Sequence, residues 1–192
     1  MHAFAKREDR FLCVHPSHIQ VLGNALFALE NKCHVGHHKY MNSSDSEDTA
    51  RLRRQQDALA QFGSHCFYAN DLDEVLTRAA ELVAEGLDIR RAKVLELLPG
   101  GKQLLMRAGV NWKPGAVGHV QFGADKDSPA GYALAQSEPV VSVDLDAETR
   151  FKIPDVLIEH GIKSMVNVII EGKNGPYGVL EVDATNKRTF DE

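Results

Sequence analysis

The side chains best suited to chemistry crowd the first forty residues. Six of the nine histidines (His2, His15, His18, His34, His37 and His38) fall there, together with two of the three cysteines. They form two clusters, C-V-H-P-S-H from Cys13 and C-H-V-G-H-H from Cys33. Thiolate and imidazole are the ligands of a tetrahedral zinc ion, so Cys13, His18, Cys33 and His37 can be drawn as one site. That spacing matches no standard finger, and a Cys/His-rich tract is a compositional signal only. Between the clusters Ile19, Leu22, Leu26 and Leu29 follow a roughly helical period, which suits a short amphipathic helix. The expectation kept for residues 1–40 is an extension, partly disordered, or sequence upstream of a natural start at Met41. No metal is assigned to it.

Other candidate chemistries are tested by their spacing. The chain has no G-x-x-x-x-G-K-[ST], no G-x-S-x-G and no H-E-x-x-H. Leu98-Pro-Gly-Gly-Lys102 is too short for a phosphate loop and reads as a hairpin turn. Asp144, Asp146 and Glu148 alternate along one loop but lack the glycine and closing glutamate of a calcium loop, so a solvated loop is expected. His160 falls at the end of a short helix, where it caps the dipole rather than serving as a base. With no ATP site and no phosphoacceptor box, the chain is not expected to be an enzyme.

Composition narrows the class. With 43% hydrophobic and 26% charged residues the chain resembles an ordinary globular protein, and its net charge of −5 argues against nucleic acid as partner. No apolar run approaches the ~20 residues of a membrane span, and the N-terminus lacks a signal-peptide pattern. Three cysteines are an odd number, too sparse for a disulfide framework, which fits a reducing cytoplasm.

The elements that must position any site come next. Asn42–Asp48 reads as a polar linker, and Thr49–Phe67 as a helix. Leu52, Leu59 and Cys66 recur in it every seven residues, which suits either pairing with a second copy or docking on its own domain. Leu72, Val75, Leu76, Ala79, Leu82 and Val83 make the clearest amphipathic helix, opened by Asp71 and ended at Gly86. Ala92–Leu98 and Gln103–Val110 form a hairpin, followed by the glycine-punctuated insert Asn111–Phe122. A short helix, Ala130–Gln136, follows its cap at Asp127-Ser128-Pro129. Then come a brief strand Pro139–Val143, a short helix Pro154–His160 and a last hairpin within Lys163–Asp183. Its turn is Gly172-Lys-Asn-Gly-Pro176, where Asn-Gly supplies positive φ. Ser164–Ile170 is apolar on both sides except at Asn167, so it is expected centrally in the sheet. The layout is α+β.

The order V-L-E-L-L, S-P-A-G-Y-A-L-A-Q-S-E-P-V-V-S-V-D-L, E-T-R-F, E-H-G-I-K-S-M-V-N-V-I-I and G-P-Y-G-V-L-E-V-D resembles a GAF domain over Leu59–Glu192. It is similar in particular to the sensory GAF modules of bacterial sensor histidine kinases. The resemblance implies a six-stranded antiparallel sheet with helices on one face and a small-molecule pocket between the other face and the loops. It divides the chain into the extension 1–40, a linker and helix start 41–58, and the domain 59–192. It also implies pocket walls of Leu97, Val110, Trp112, Phe122, Tyr132, Phe151, Ile162 and Asn167. Ordinary core packing is the alternative for each aromatic. Asn167 is the most pointed, because a polar group in a buried strand must find partners. Glu181 is a further polar contact or, on the plainer reading, solvent-facing or paired with an arginine.

The family's known chemistries meet obstacles in this sequence. Pro154–Ser164 lacks the cysteine that attaches a bilin in cyanobacteriochromes. All three cysteines precede the first strand, away from where free methionine-sulfoxide reductases need them. Asn186-Lys187, Phe190 and Asp191-Glu192 echo the signature of cyclic-nucleotide-binding members at too short a spacing. The function expected from the resemblance is a cytoplasmic signal-input domain of a two-component protein, binding an unidentified small molecule and dimerising through Thr49–Phe67. The alternatives are a dimerisation module without ligand and a redox enzyme using Cys66. No cofactor is named.

Overall fold

The structure is a computed structural model that describes residues 44–69 and 71–187. Cys13, His18, Cys33 and His37, the extension that carries them and the echo at Phe190–Glu192 lie outside these residues. Among the described residues two long helices lead, α1 over Ser44–Tyr68 and α2 over Leu72–Gly86. The first begins within the segment expected as linker and runs unbroken past the boundary expected at residue 59. Its buried positions Ala58, Phe62 and Cys66 step by four, and Leu59 packs beside them, so this half of α1 lies along α2. Leu52, half exposed, lies on the half that the domain does not cover.

Helix α2 is capped at both ends by local chemistry. Asp71 accepts a hydrogen bond from the Glu74 backbone N–H at 2.9 Å. Beyond Gly86 the Leu87 N–H donates to the Val83 carbonyl at 3.1 Å, and its side chain turns back into the core.

Six strands follow: β1 Arg91–Leu97, β2 Gln103–Val110, β3 Gln121–Gly123, β4 Val140–Ser142, β5 Ser164–Gly172 and β6 Gly175–Ala184. Between them lie α3 (Pro129–Gln136), α4 (Asp155–Glu159) and one 3-10 turn at Leu145–Ala147. The sheet runs β3-β2-β1-β6-β5-β4 with every pair antiparallel. The centre therefore belongs to β1 and β6. Strand β5 is covered on both faces as its pattern requires, but it is second from the edge, because the three-residue β4 ends the sheet beside it. The last hairpin closes through Gly175 at φ 124°, and Pro176 lies in the strand.

The two faces of the sheet differ. On one, Ala92, Val94, Ala108, Val166, Val168, Leu180 and Val182 pack against α1 and α2 in a wholly apolar core. On the other, two smaller apolar clusters sit beneath α3, α4 and the loops. Phe62, 2% exposed, is the largest side chain that α1 commits to the helix face. Phe62→Ala should lower unfolding free energy by about 3–5 kcal/mol in urea titration, whereas Leu52→Ala should change monomer stability by less than about 0.5 kcal/mol. Equal small effects would mean that α1 is not docked on the domain.

Candidate functional site

The loop face is built by strand alternation. Lys93 pairs across the sheet with Glu181, Glu181 with Asn167 and Asn167 with Val140, so the four form one row on one side. Asp183 lies two residues along β6 on the same side. Lys93, Asn167 and Asp183 are fully buried and Glu181 is 2% exposed. The Lys93 ammonium donates to Glu181 Oε1, and to Asp183 Oδ2 at 2.7 Å. One cation thus faces two carboxylates, all three buried from solvent. Burial, reinforced by the neighbouring Asp183 carboxylate, outweighs Lys93 and pushes the Glu181 carboxyl well above the usual carboxylate range. Both side-chain atoms of Asn167 and the Oδ1 of Asp183 have no hydrogen-bond partner.

Trp112 roofs this row, and local backbone geometry puts it there. Asn111 takes the left-handed region at φ 58°, which asparagine tolerates, and its Nδ2 donates to the Arg90 carbonyl at 2.6 Å. The chain reverses, and the Trp112 Nε1–H donates to the Ala92 carbonyl at 3.1 Å. A Cβ on Gly109 would lie 2.8 Å from the indole, so glycine leaves the room the ring occupies. The Lys93 Nζ then sits 4.4 Å from the centre of the indole, a cation–π contact away from water. His160 also meets the indole, in an edge-type contact at 4.8 Å between ring centres. Its Nδ1 lies 2.7 Å from the Val156 carbonyl, the capping contact expected at the end of α4.

Helix α3 completes the roof. Ser128 caps it, accepting from the Gly131 N–H at 3.0 Å, and Ala130 and Ala133 face the sheet. Behind it Tyr132 and Phe151 pack at 5.6 Å, held by Arg150, which lies over both rings and donates to the Val141 carbonyl at 2.7 Å. Glu148 anchors Arg150 and accepts from the Ser142 hydroxyl at 2.8 Å. Its hydrogen bond with Arg150 holds the Glu148 carboxyl down at about 2.

The expected site residues divide accordingly. Trp112, Tyr132, Phe151, Ile162 and Asn167 gather around the row, and Leu97 and Phe122 pack in the adjoining cluster, which Trp112 joins to it. Val110 does not belong with them. It pairs with Ala92 and packs against the helix-face core, because β2 carries one extra residue, Arg107, where it runs beside β1. Glu181 is neither solvent-facing nor paired with an arginine; its partner is Lys93. Cys66 is buried on the opposite side of the sheet among helix residues, and burial pushes its thiol up to about 11.

The GAF domain family model matches residues 69–192. The chain belongs to the GAF domain family. Its structural neighbours share the fold at low identity. The GAF domain of a phosphoenolpyruvate-protein phosphotransferase from Coxiella burnetii is 15% identical over 74% of this chain and 83% of that one, with a TM-score of 0.65. A putative GAF sensor protein from Burkholderia vietnamiensis is 21% identical over 73% and 84%, with a TM-score of 0.60. Free methionine-R-sulfoxide reductase from Neisseria meningitidis, solved with its substrate, is 17% identical over 82% and 84%, also at 0.60. No curated protein sequence matches the chain significantly.

Sequence reasoning missed Lys93 and Asp183 in this GAF domain, although alternation carried the signal. Leu180 and Val182 face the helices, so Glu181 and Asp183 must face the loops, and Lys93 between Ala92 and Val94 obeys the same rule. Two stability measurements follow from the row. Asn167→Leu, which removes two buried unpaired atoms at similar size, should raise unfolding free energy by about 1–2 kcal/mol. A loss of that size would mean that the amide is satisfied in solution. Because the folded pKa of Glu181 is raised, the folded state holds its proton after the unfolded chain has released it. Stability from this group is therefore full below about 4.3 and declines as pH rises from there toward the folded pKa. Glu181→Gln cannot ionise, and its stability profile should lack that decline when the two proteins are melted across the same pH series.

Proposed function

We propose that this GAF domain is a signal-input module that binds a small molecule against the loop face of its sheet and passes the change to a second copy through α1. The observation that carries this reading is the buried polar row: Asn167 and Asp183 present unpaired atoms beneath a roof of loops, on the side of the sheet away from α1 and α2. Folded proteins satisfy such atoms, and a guest between sheet and roof does so. The relay is a population shift, in which the guest favours one arrangement of the roof and strands and hence one packing of the paired helices.

The reading uses no catalysis. The thiol of Cys66 is held protonated on the far side of the sheet, which supports binding over redox turnover. Among the described residues no helix is long and apolar enough to cross a membrane. A cytoplasmic location and a place in a two-component protein complete the proposal. Dimerisation is drawn through α1 because Leu52, in the heptad row with Leu59 and Cys66, is exposed where nothing described covers it.

Native mass spectrometry of the protein as purified, with and without chelator, tests both parts. A dimer carrying a discrete non-covalent mass, lost on denaturation, is the expected result. Leu52→Glu should then give monomers whose thermal midpoint, compared as monomers, is unchanged. A bare monomer that no metabolite panel stabilises would overturn the sensor reading and leave a structural module.

A further inference from the structure

Helix α1 keeps a second face that its own domain does not use. Ala58, Phe62 and Cys66 turn toward α2, so the helical period puts Gln56, Ala60, Gly63 and Phe67 on the far side, with Leu52 at its edge, all exposed. Phe67 is 81% exposed and meets only the ring of Tyr68, itself 75% exposed, at 5.2 Å. Two aromatic rings thus stand in solvent where α1 ends. Gly63 is the more telling residue. It sits in the interior of a 25-residue helix, where only proline is a poorer helix former. A Cβ there would meet nothing within 4 Å, so the fold of one chain does not call for glycine. A glycine on a helix surface lets another backbone approach closely.

Charge decides how a second copy lies on this face. Arg54 and Asp57 turn aside to line a cleft against Leu82 and Glu85 of α2, which leaves Arg53 as the one charge on the face among the described side chains. In a parallel, in-register pair the two Arg53 guanidiniums would meet each other with no carboxylate between them. Turning one copy end for end removes the conflict. About a twofold axis at Ala60, Arg53 of each chain faces Phe67 of the other, a cation over an exposed ring. The two Arg53 are then about 21 Å apart along the axis, beyond the ~10 Å over which salt lets them interact. The small residues Ala60 and Gly63 come to the crossing point, and the carbonyl end of α1 and the exposed Asp71 lie on the side that receives the arginine. Taking the pairing through α1 proposed above, we infer that the two copies cross antiparallel about Ala60, with Leu52 and Arg53 of each against the aromatic end, Phe67 and Tyr68, of the other.

Engineered disulfides read the orientation. In the full chain carrying Cys13→Ser and Cys33→Ser, only the buried Cys66 keeps its thiol. Into that chain goes either Gln56→Cys or Ser64→Cys, at exposed positions that leave Leu52, Arg53 and Phe67 intact. The antiparallel crossing sets residue 56 opposite residue 64 and holds the two residues 56 about 12 Å apart along the axis, out of disulfide reach. Mild oxidation should therefore link neither variant to itself and should give, in their mixture, a covalent dimer with one chain of each. Arg53→Gln should raise the dimer dissociation constant about threefold in sedimentation. Gln56→Cys linking to itself, or Arg53→Gln leaving the dimer unchanged or tighter, overturns the antiparallel assignment and leaves pairing through α1 standing. A dimer that links in none of the three samples also overturns the inference, and a monomer in sedimentation overturns the α1 pairing with it.

Discussion

One lysine between two carboxylates, sealed from water, is the constraint on which the rest of this sheet depends. Lys93 lies on β1, and Glu181 and Asp183 lie nearly ninety residues later on β6, so the cluster forms only when the two central strands pair in one register. A slip of β6 by one residue against β1 would turn Glu181 and Asp183 toward the helix face and leave Lys93 alone on the loop side. The penalty acts on both faces at once, since the same slip would send Leu180 and Val182 to the loop side. A buried ion cluster gives little net stability against well-packed apolar residues, but leaving one member without its partner is costly. Its contribution here is to specify the pairing of the centre of the fold.

The same strands join the two sides of the molecule. Alternation means that Lys93 cannot shift without Ala92 and Val94, which α2 covers. The bulge at Arg107 adds a second tie: its guanidinium contacts Asp73 in the first turn of α2 at 2.5 Å and Glu96 on β1 at 3.1 Å. Helix α1 rests on α2 through Phe62 and on the closely approached pair Ala58 and Gly86. A chain of packed contacts thus leads from the polar row to the helix proposed to pair with a second copy. Contiguity alone does not establish coupling; that requires two arrangements of this chain of contacts which a guest distinguishes.

The parts of the fold legible in the sequence are those set by local rules. Periods of two and of three to four residues, the Asp71 and Ser128 caps and the Pro-Gly-Gly turn identified the helices and hairpins to within a few residues. What was illegible depends on contacts between distant segments. The seven-residue row Leu52, Leu59, Cys66, with Phe62 between, suits either pairing with a copy or docking; docking on α2 uses Phe62, Cys66 and the edge of Leu59, adds Ala58 and releases Leu52. Val110 lies on the helix face because a bulge at Arg107 reverses the alternation along β2, and bulges leave no mark in a hydrophobic pattern. A lone carboxylate such as Glu181 is expected to face solvent or pair with an arginine, and only the register of β1 against β6 reveals that a lysine lies opposite it.

Asn167 shows why the polar row calls for a functional account rather than a structural one. Lys93, Glu181 and Asp183 largely satisfy one another, and their retention is explained by register. The amide makes no hydrogen bond in that exchange, although it pairs with Glu181 across the ladder, and its other neighbours Val140 and Met165 are apolar. A residue that breaks the local rule without a compensating contact is the pattern left where function competes with stability. The neighbouring Asp183 oxygen is idle on the same face, so the unmet demand belongs to a place rather than to one side chain. That place is where β5 and β6 run beneath α3, the one helix in the roof whose sheet-facing residues are alanines.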